Sequence, residues 1–121
     1  MDRFFFAAGS VAAFVAVALG AFGAHSLKTR LSADMLNIFE VGVRYQMYHA
    51  LGLIAVAWAI TRWPEKNLNG AGWAFIIGII IFSGSLYLLS LTGVRWYGAI
   101  TPIGGIAFLI GWAILVWSVG R

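Results

Sequence analysis

The sequence predicts an all-α polytopic membrane protein: a bundle of four transmembrane helices, with an amphipathic interfacial helix between the first span and the second. Three observations carry that expectation. Of 121 residues, 62% are hydrophobic and 10% charged, against about 45–50% and about 25% in soluble domains. Residues 4–27, 45–61, 67–94 and 96–120 contain no Asp, Glu, Lys or Arg, and a helix needs about 20 apolar residues to cross a hydrocarbon core about 30 Å thick. The apolar runs are continuous, as from Phe75 to Ile81, whereas barrel strands alternate over about ten residues. In lipid only helices and closed barrels satisfy their own backbone polar groups, so helices are left. The length suits one domain, residues 1–121.

The first span is placed at 4–24. Arg3, the apolar run and the small residues Ala21 and Gly23 resemble a secretory signal, but the run is long for one, and it reads as a retained helix. The interfacial helix is placed at 33–44, either lying at the interface before the chain turns in or running directly into the second span. Ser32 is a good N-cap with Asp34 in the first turn. Polar Asp34, Asn37, Glu40 and Arg44 then recur every three or four positions, with Met35, Ile38, Phe39 and Val43 between them. The second span, 45–61, is only about 25 Å long at 1.5 Å per residue, which puts Glu40 and Arg44 at its boundary as an i, i+4 pair with the acid first. The simpler reading has Arg44 snorkelling to a phosphate with Glu40 steadying it. The other is an internal ion pair with a switching role.

Residues 62–70 form a polar hairpin loop into a third span at 71–92, closed by Gly93. The fourth span, 101–119, opens with Thr101 as N-cap and Pro102 as first helical residue. Trp63, Trp73, Trp96 and Trp117 fit aromatic belts at the two surfaces.

Helices in lipid associate through small residues. Span one carries Ala8, Ala12, Ala16, Gly20 and Ala24 in a four-residue repeat, beside Gly9 and Ala13, which predicts a central helix. Gly84 in span three, and Gly104 and Gly111 in span four, are further packing positions. Basic residues divide four against four between the two sides: Arg3, Arg62, Lys66 and Arg121 on the side of the termini, Lys28, Arg30, Arg44 and Arg95 on the other. The positive-inside rule therefore gives no orientation, and a dual-topology dimer would show the same tie. The net charge of +4 is too small and scattered for a nucleic-acid surface but suits membrane lipids with anionic headgroups.

Few residues can carry chemistry. There is no cysteine, which excludes disulfides and thiol catalysis. No G-x-S-x-G, phosphate loop or acidic pair within a span is present, so no enzyme is expected. The candidate functional cluster is His25, Glu40, Arg44, Tyr45, Gln46 and His49. On a helical wheel His49 shares a face with Gly42, Tyr45, Gln46, Leu53 and Val56, opposite Glu40, Arg44, Met47 and Trp58. His25 and His49, both on the loop-one side and 24 residues apart, make a weak metal pair, with no third ligand in reach by spacing. A haem or quinone site is one reading; histidines that seal helix ends are the plainer one. A polar path along Arg44, Gln46, Thr92 and the serines near Gly84 would make a small channel or transporter.

Four blocks resemble the YgdD/YwdK-type small membrane proteins. They are Gly20-Ala21-Phe22-Gly23-Ala24-His25 with Leu27 and Phe39; Tyr45-Gln46-Met47-Tyr48-His49-Ala50-Leu51; Phe82-Ser83-Gly84-Ser85-Leu86-Tyr87; and Ile100-Thr101-Pro102-Ile103-Gly104-Gly105 with Gly111-Trp112. The resemblance covers nearly the whole chain. It implies a bacterial inner-membrane protein, with similar proteins in animal mitochondria. It implies no activity, and it draws attention to the region of His25, Gln46 and His49. The function expected is that of a non-enzymatic membrane protein, acting as a homo-oligomer or as a small accessory subunit of a membrane complex.

Overall fold

A computed structural model describes residues 1–121, and every regular element in it is helical. α1 (Asp2–Phe22) runs into a π-helical turn at Gly23–Leu27. α2 (Ala33–Arg62) is a single helix of 30 residues, about 45 Å long. α3 (Asn69–Gly78), a π turn (Ile79–Ser83) and α4 (Gly84–Thr92) form one continuous rod. A 3-10 turn (Arg95–Ala99) leads into α5 (Thr101–Gly120). Three stretches are long and apolar enough to cross a membrane: Asp2–Leu27, Asn69–Thr92 and Arg95–Gly120.

Several helix ends follow from local chemistry. The Ser32 hydroxyl accepts the Met35 N–H at 3.2 Å, the expected cap. Gly93 takes φ 73° and donates its N–H to Leu89, a left-handed stop that favours glycine. Thr101 departs from expectation. Ile100 occupies the capping position, and the Thr101 hydroxyl meets that of Ser85 at 2.6 Å. The interfacial helix expected at 33–44 is not a separate element, since nothing breaks the helix between Ala33 and Arg62.

The rods run alternately up and down. Gly9 of α1 lies against Ala50 and Ile54 of α2, and Gly23 against Phe39, so α1 and α2 are antiparallel. Gly52 meets Phe75 and Gly42 meets Tyr87, which sets α2 antiparallel to the α3–α4 rod; Gly78 meets Phe108 and Gly104 meets Phe82, which does the same for α5. α2 and α3–α4 form the inner pair, with α1 and α5 on their flanks. The expected central role of the first helix therefore falls to α2, which buries ten residues against three for α1.

Aromatic rings seated in glycine notches hold the bundle together. Phe5 covers Gly72, Phe75 sits between Gly52 and Gly111, and Phe108 covers Gly78. Phe5 and Phe75 are wholly buried. Without a side chain at the glycine, each ring reaches the facing backbone, which is how close packing replaces hydrophobic drive between helices in lipid. The expected packing residues divide accordingly. Gly104 and Gly111 are tight: an added Cβ would lie 2.4 Å from the Phe82 backbone nitrogen or the Phe75 ring. Ala16 is buried and Ala12 half-buried. Gly20 makes only an ordinary contact with Val43, Gly84 faces open space, and Ala24 is exposed. A strict four-residue repeat drifts around a helix of 3.6 residues per turn. The contact stripe accordingly runs Phe5, Gly9, Ala12 and Ala16 along α1 and continues through Gly23 and Leu27 of the π turn.

Candidate functional site: the buried polar centre

The helical wheel of α2 is realised in part. Gly42, Gln46, His49, Leu53 and Val56 are buried; Glu40, Arg44 and Trp58 are exposed, and Met47 is half-buried. Tyr45, expected on the buried face, is at its edge with its ring 4.8 Å from that of Phe82. Gln46 and His49 therefore sit where the inner helices meet.

Gln46 links three rods. Its Nε2 donates to the Ala12 carbonyl of α1 at 2.9 Å, and its Oε1 accepts the Tyr87 hydroxyl of α4 at 2.6 Å. The Tyr87 ring fills the notch at Gly42 and leans on Phe39 at 5.2 Å. One turn away, Ser83 donates to the Gly42 carbonyl at 2.6 Å. These bonds place the polar groups of α2 and α4 against each other.

His49 is clamped. Its Nδ1 lies 2.8 Å from the Tyr45 carbonyl, and Trp112 Nε1 donates to its Nε2 at 3.0 Å. A carbonyl only accepts and an indole N–H only donates, so the proton is on Nδ1 and the Nε2 lone pair is taken. Phe108 stacks on the ring with centroids 3.5 Å apart, and Phe75 meets it edge-on at 5.3 Å. Both nitrogens and one face of the ring are thus occupied by the chain itself. No buried side-chain nitrogen or oxygen lacks a partner.

The expected cluster divides in two. His25 is exposed on the π turn. Its neighbour Gly23 packs on Phe39, ten residues before His49 on α2, or about 15 Å along the axis. The two histidines do not face each other, and no group of three possible ligands forms, so the bis-imidazole geometry is not made. Glu40 and Arg44 lie on the outer face of α2, away from Gln46 and His49, and form no ion pair; the chain's one salt bridge joins the N-terminus to Asp2. The polar path is also not made. Gln46 and Ser83 are buried and bonded across helices, Ser85 bonds Thr101, and Thr92 bonds the Leu88 carbonyl. Arg44 points away from all of them, and none of the five surface grooves is lined by Gln46, His49 or Ser83.

Tyr87, Trp112 and Phe108 complete the site and were not among the expected residues. Periodicity could not find them, because each is defined by a partner on another helix. Tyr87 and Trp112 do fall inside the third and fourth resemblance blocks.

A UPF0382 membrane protein of Staphylococcus epidermidis is 50% identical over 114 residues, covering 94% of this chain and 93% of its own. One from Staphylococcus saprophyticus is 49% identical over 114 residues, 94% of each chain. The UPF0382 membrane protein YwdK of Bacillus subtilis is 45% identical over 115 residues, 94% of each. No solved structure matches. The family model described as "Protein of unknown function (DUF423)" matches residues 19–105, which span Gln46, His49, Ser83 and Tyr87, and the chain belongs to this family of membrane proteins.

Proposed function

We propose that the protein is a non-enzymatic four-span component of the bacterial cytoplasmic membrane, acting as a homo-oligomer or as an accessory subunit of a larger membrane complex. One observation carries this reading: the polar interior is spent on holding the helices together. Gln46, His49, Ser83 and Tyr87 each bond to protein, and no buried polar atom is left to meet a substrate. A catalyst or carrier needs convergent polar groups at an accessible cavity.

The fourth span is α2. It runs beside two rods apolar enough to cross a membrane, along most of their length, and its buried face is as apolar as theirs around Leu53 and Val56. The outward surface supports membrane residence, with Phe14, Ile80, Leu109 and Val116 all more than 60% exposed. Water would not tolerate so continuous an apolar exterior. The bacterial relatives support the cytoplasmic membrane as its place.

The test is reconstitution of the purified chain into liposomes, with native mass spectrometry of the gently solubilised protein. The expected result is ion and solute flux equal to that of empty vesicles, and a mass above that of one chain. A lone monomer that moves a solute overturns the reading.

A further inference from the structure

We propose that a second copy of this chain docks on the outer face of α2, with Glu40 of each copy paired to Arg44 of the other. The proposal deepens the oligomer reading above and rests on it.

The argument begins with the level of these charges. Val43 faces Gly20, and Gln46 bonds to Ala12, so Arg44 is level with the middle of the Asp2–Leu27 rod. Gly42 lies against Tyr87 and Gly52 against Phe75, so Arg44 is also close to mid-height on the Asn69–Thr92 rod. α2 is thus out of step with its neighbours: its charged half lies beside their apolar lengths. A charge at that depth is rare and pairs with another group. Within the chain neither Glu40 nor Arg44 has an ionic partner, and both are exposed.

The face around them is shaped for a helix. Asn37, Glu40, Arg44, Tyr48, Leu51 and Ala55 are all exposed and follow one another by three or four residues. Asn37, Arg44 and Leu51 recur every seven, the repeat of a helix–helix seam. The face carries one acid and one base, so it complements itself. A two-fold axis along the membrane normal brings the same patch of each copy together, so that both Glu40–Arg44 contacts form at once. Asn37 then meets its own copy, an amide pairing that fixes register. The outer face of α1, with Val11, Phe14 and Val17, offers no such charges and suits lipid.

The chain has no cysteine, so a single introduced thiol reports one position. Full-length Y48C and F14C variants are placed in vesicles of phosphatidylethanolamine and phosphatidylglycerol and oxidised. Y48C should form a covalent dimer and F14C should not. In the Y48C background, E40R alone or R44E alone should reduce cross-linking at least about tenfold. E40R and R44E chains with different tags, co-expressed, should cross-link to each other as well as the parent does, because each supplies the charge the other lacks. That rescue also shows that both variants fold. If F14C cross-links and Y48C does not, this interface is wrong and the oligomer reading stands. Charge-independent cross-linking at Y48C overturns the ion pairing. If neither position cross-links and native mass spectrometry finds single chains, both readings fall. A monomer that holds an anionic lipid lost in R44Q assigns Arg44 to a headgroup, and a different protein seated on α2 assigns the face elsewhere; either result overturns the proposal.

Discussion

At the scale of single residues, the bundle depends on a few positions where one atom decides the outcome. Gln46 is the clearest. Replacing it with Leu leaves the Tyr87 hydroxyl without its acceptor, and a buried group stranded in this way costs about 1–3 kcal/mol. The double variant Q46L/Y87F removes both partners. It should be more stable than the sum of the two single changes by about 1 kcal/mol, as a double-mutant cycle of unfolding in detergent would read. Glycines separate in the same manner. A methyl at Gly104 would lie 2.4 Å from the backbone nitrogen of Phe82, whereas one at Gly84 would meet nothing within 4 Å. G104A should therefore lose about 1–3 kcal/mol, and G84A should gain up to about 1 kcal/mol from helix propensity. Thermal unfolding of the two variants side by side checks both. Sequence pattern marked Gly84 and Gly104 equally as small residues in apolar helices. Only the facing backbone distinguishes them, and that is a property of another part of the chain.

At the scale of elements, the helices and most of their ends were legible because their causes are local. The Ser32 cap and the Gly93 stop each depend on residues within a few positions. The inward face of α2, from Gly42 to Val56, followed from the 3.6-residue period and the residue types on it, except that Tyr45 lies exposed at its edge. The π turns had no such local mark. In the rod Asn69–Thr92 the buried face passes from Phe75 and Gly78 to Ser83, a step of five where an α-helix would take three or four. The π turn takes up one extra residue and brings Ser83 to Gly42. Removing Ile80, an exposed residue within the turn, should relax it to an α-helix and keep both halves facing as they do. Its midpoint should stay within a few degrees of the parent in a thermal melt. Removing Leu88, also exposed but beyond the turn, rotates the rest of α4 by about 100°. That carries Leu89 and Ser90 out of the interface, and the folded protein should be lost from the membrane fraction.

At the scale of the whole molecule, the sequence conveyed solvent and class and left the arrangement open. Counting small residues favoured the first helix as the centre, because the count could not register that glycines on α2, α3 and α5 receive rings from elsewhere. The spread of the expected cluster has the same origin. His25, Glu40 and Arg44 were grouped with Gln46 and His49 by nearness in sequence or by the expected topology, yet all three are exposed where Gln46 and His49 are buried.

The offset of α2 has a consequence for biogenesis. On the four-span reading, Arg44 alone costs about 2.5–3.5 kcal/mol at the centre of an isolated spanning helix, so α2 enters lipid poorly by itself. Nothing on α1 meets Arg44, but α1 receives the rest of the helix: the Ala12 carbonyl takes the Gln46 amide, and the gap at Gly9 takes Ala50 and Ile54. A chain lacking residues 1–27 should leave Arg62 on the wrong side of the bilayer in a protease-protection assay. Ribosomes deliver the N-terminal helix first, so the receiving surface is already embedded when its reluctant passenger emerges, and the order of translation becomes part of the way this bundle is built.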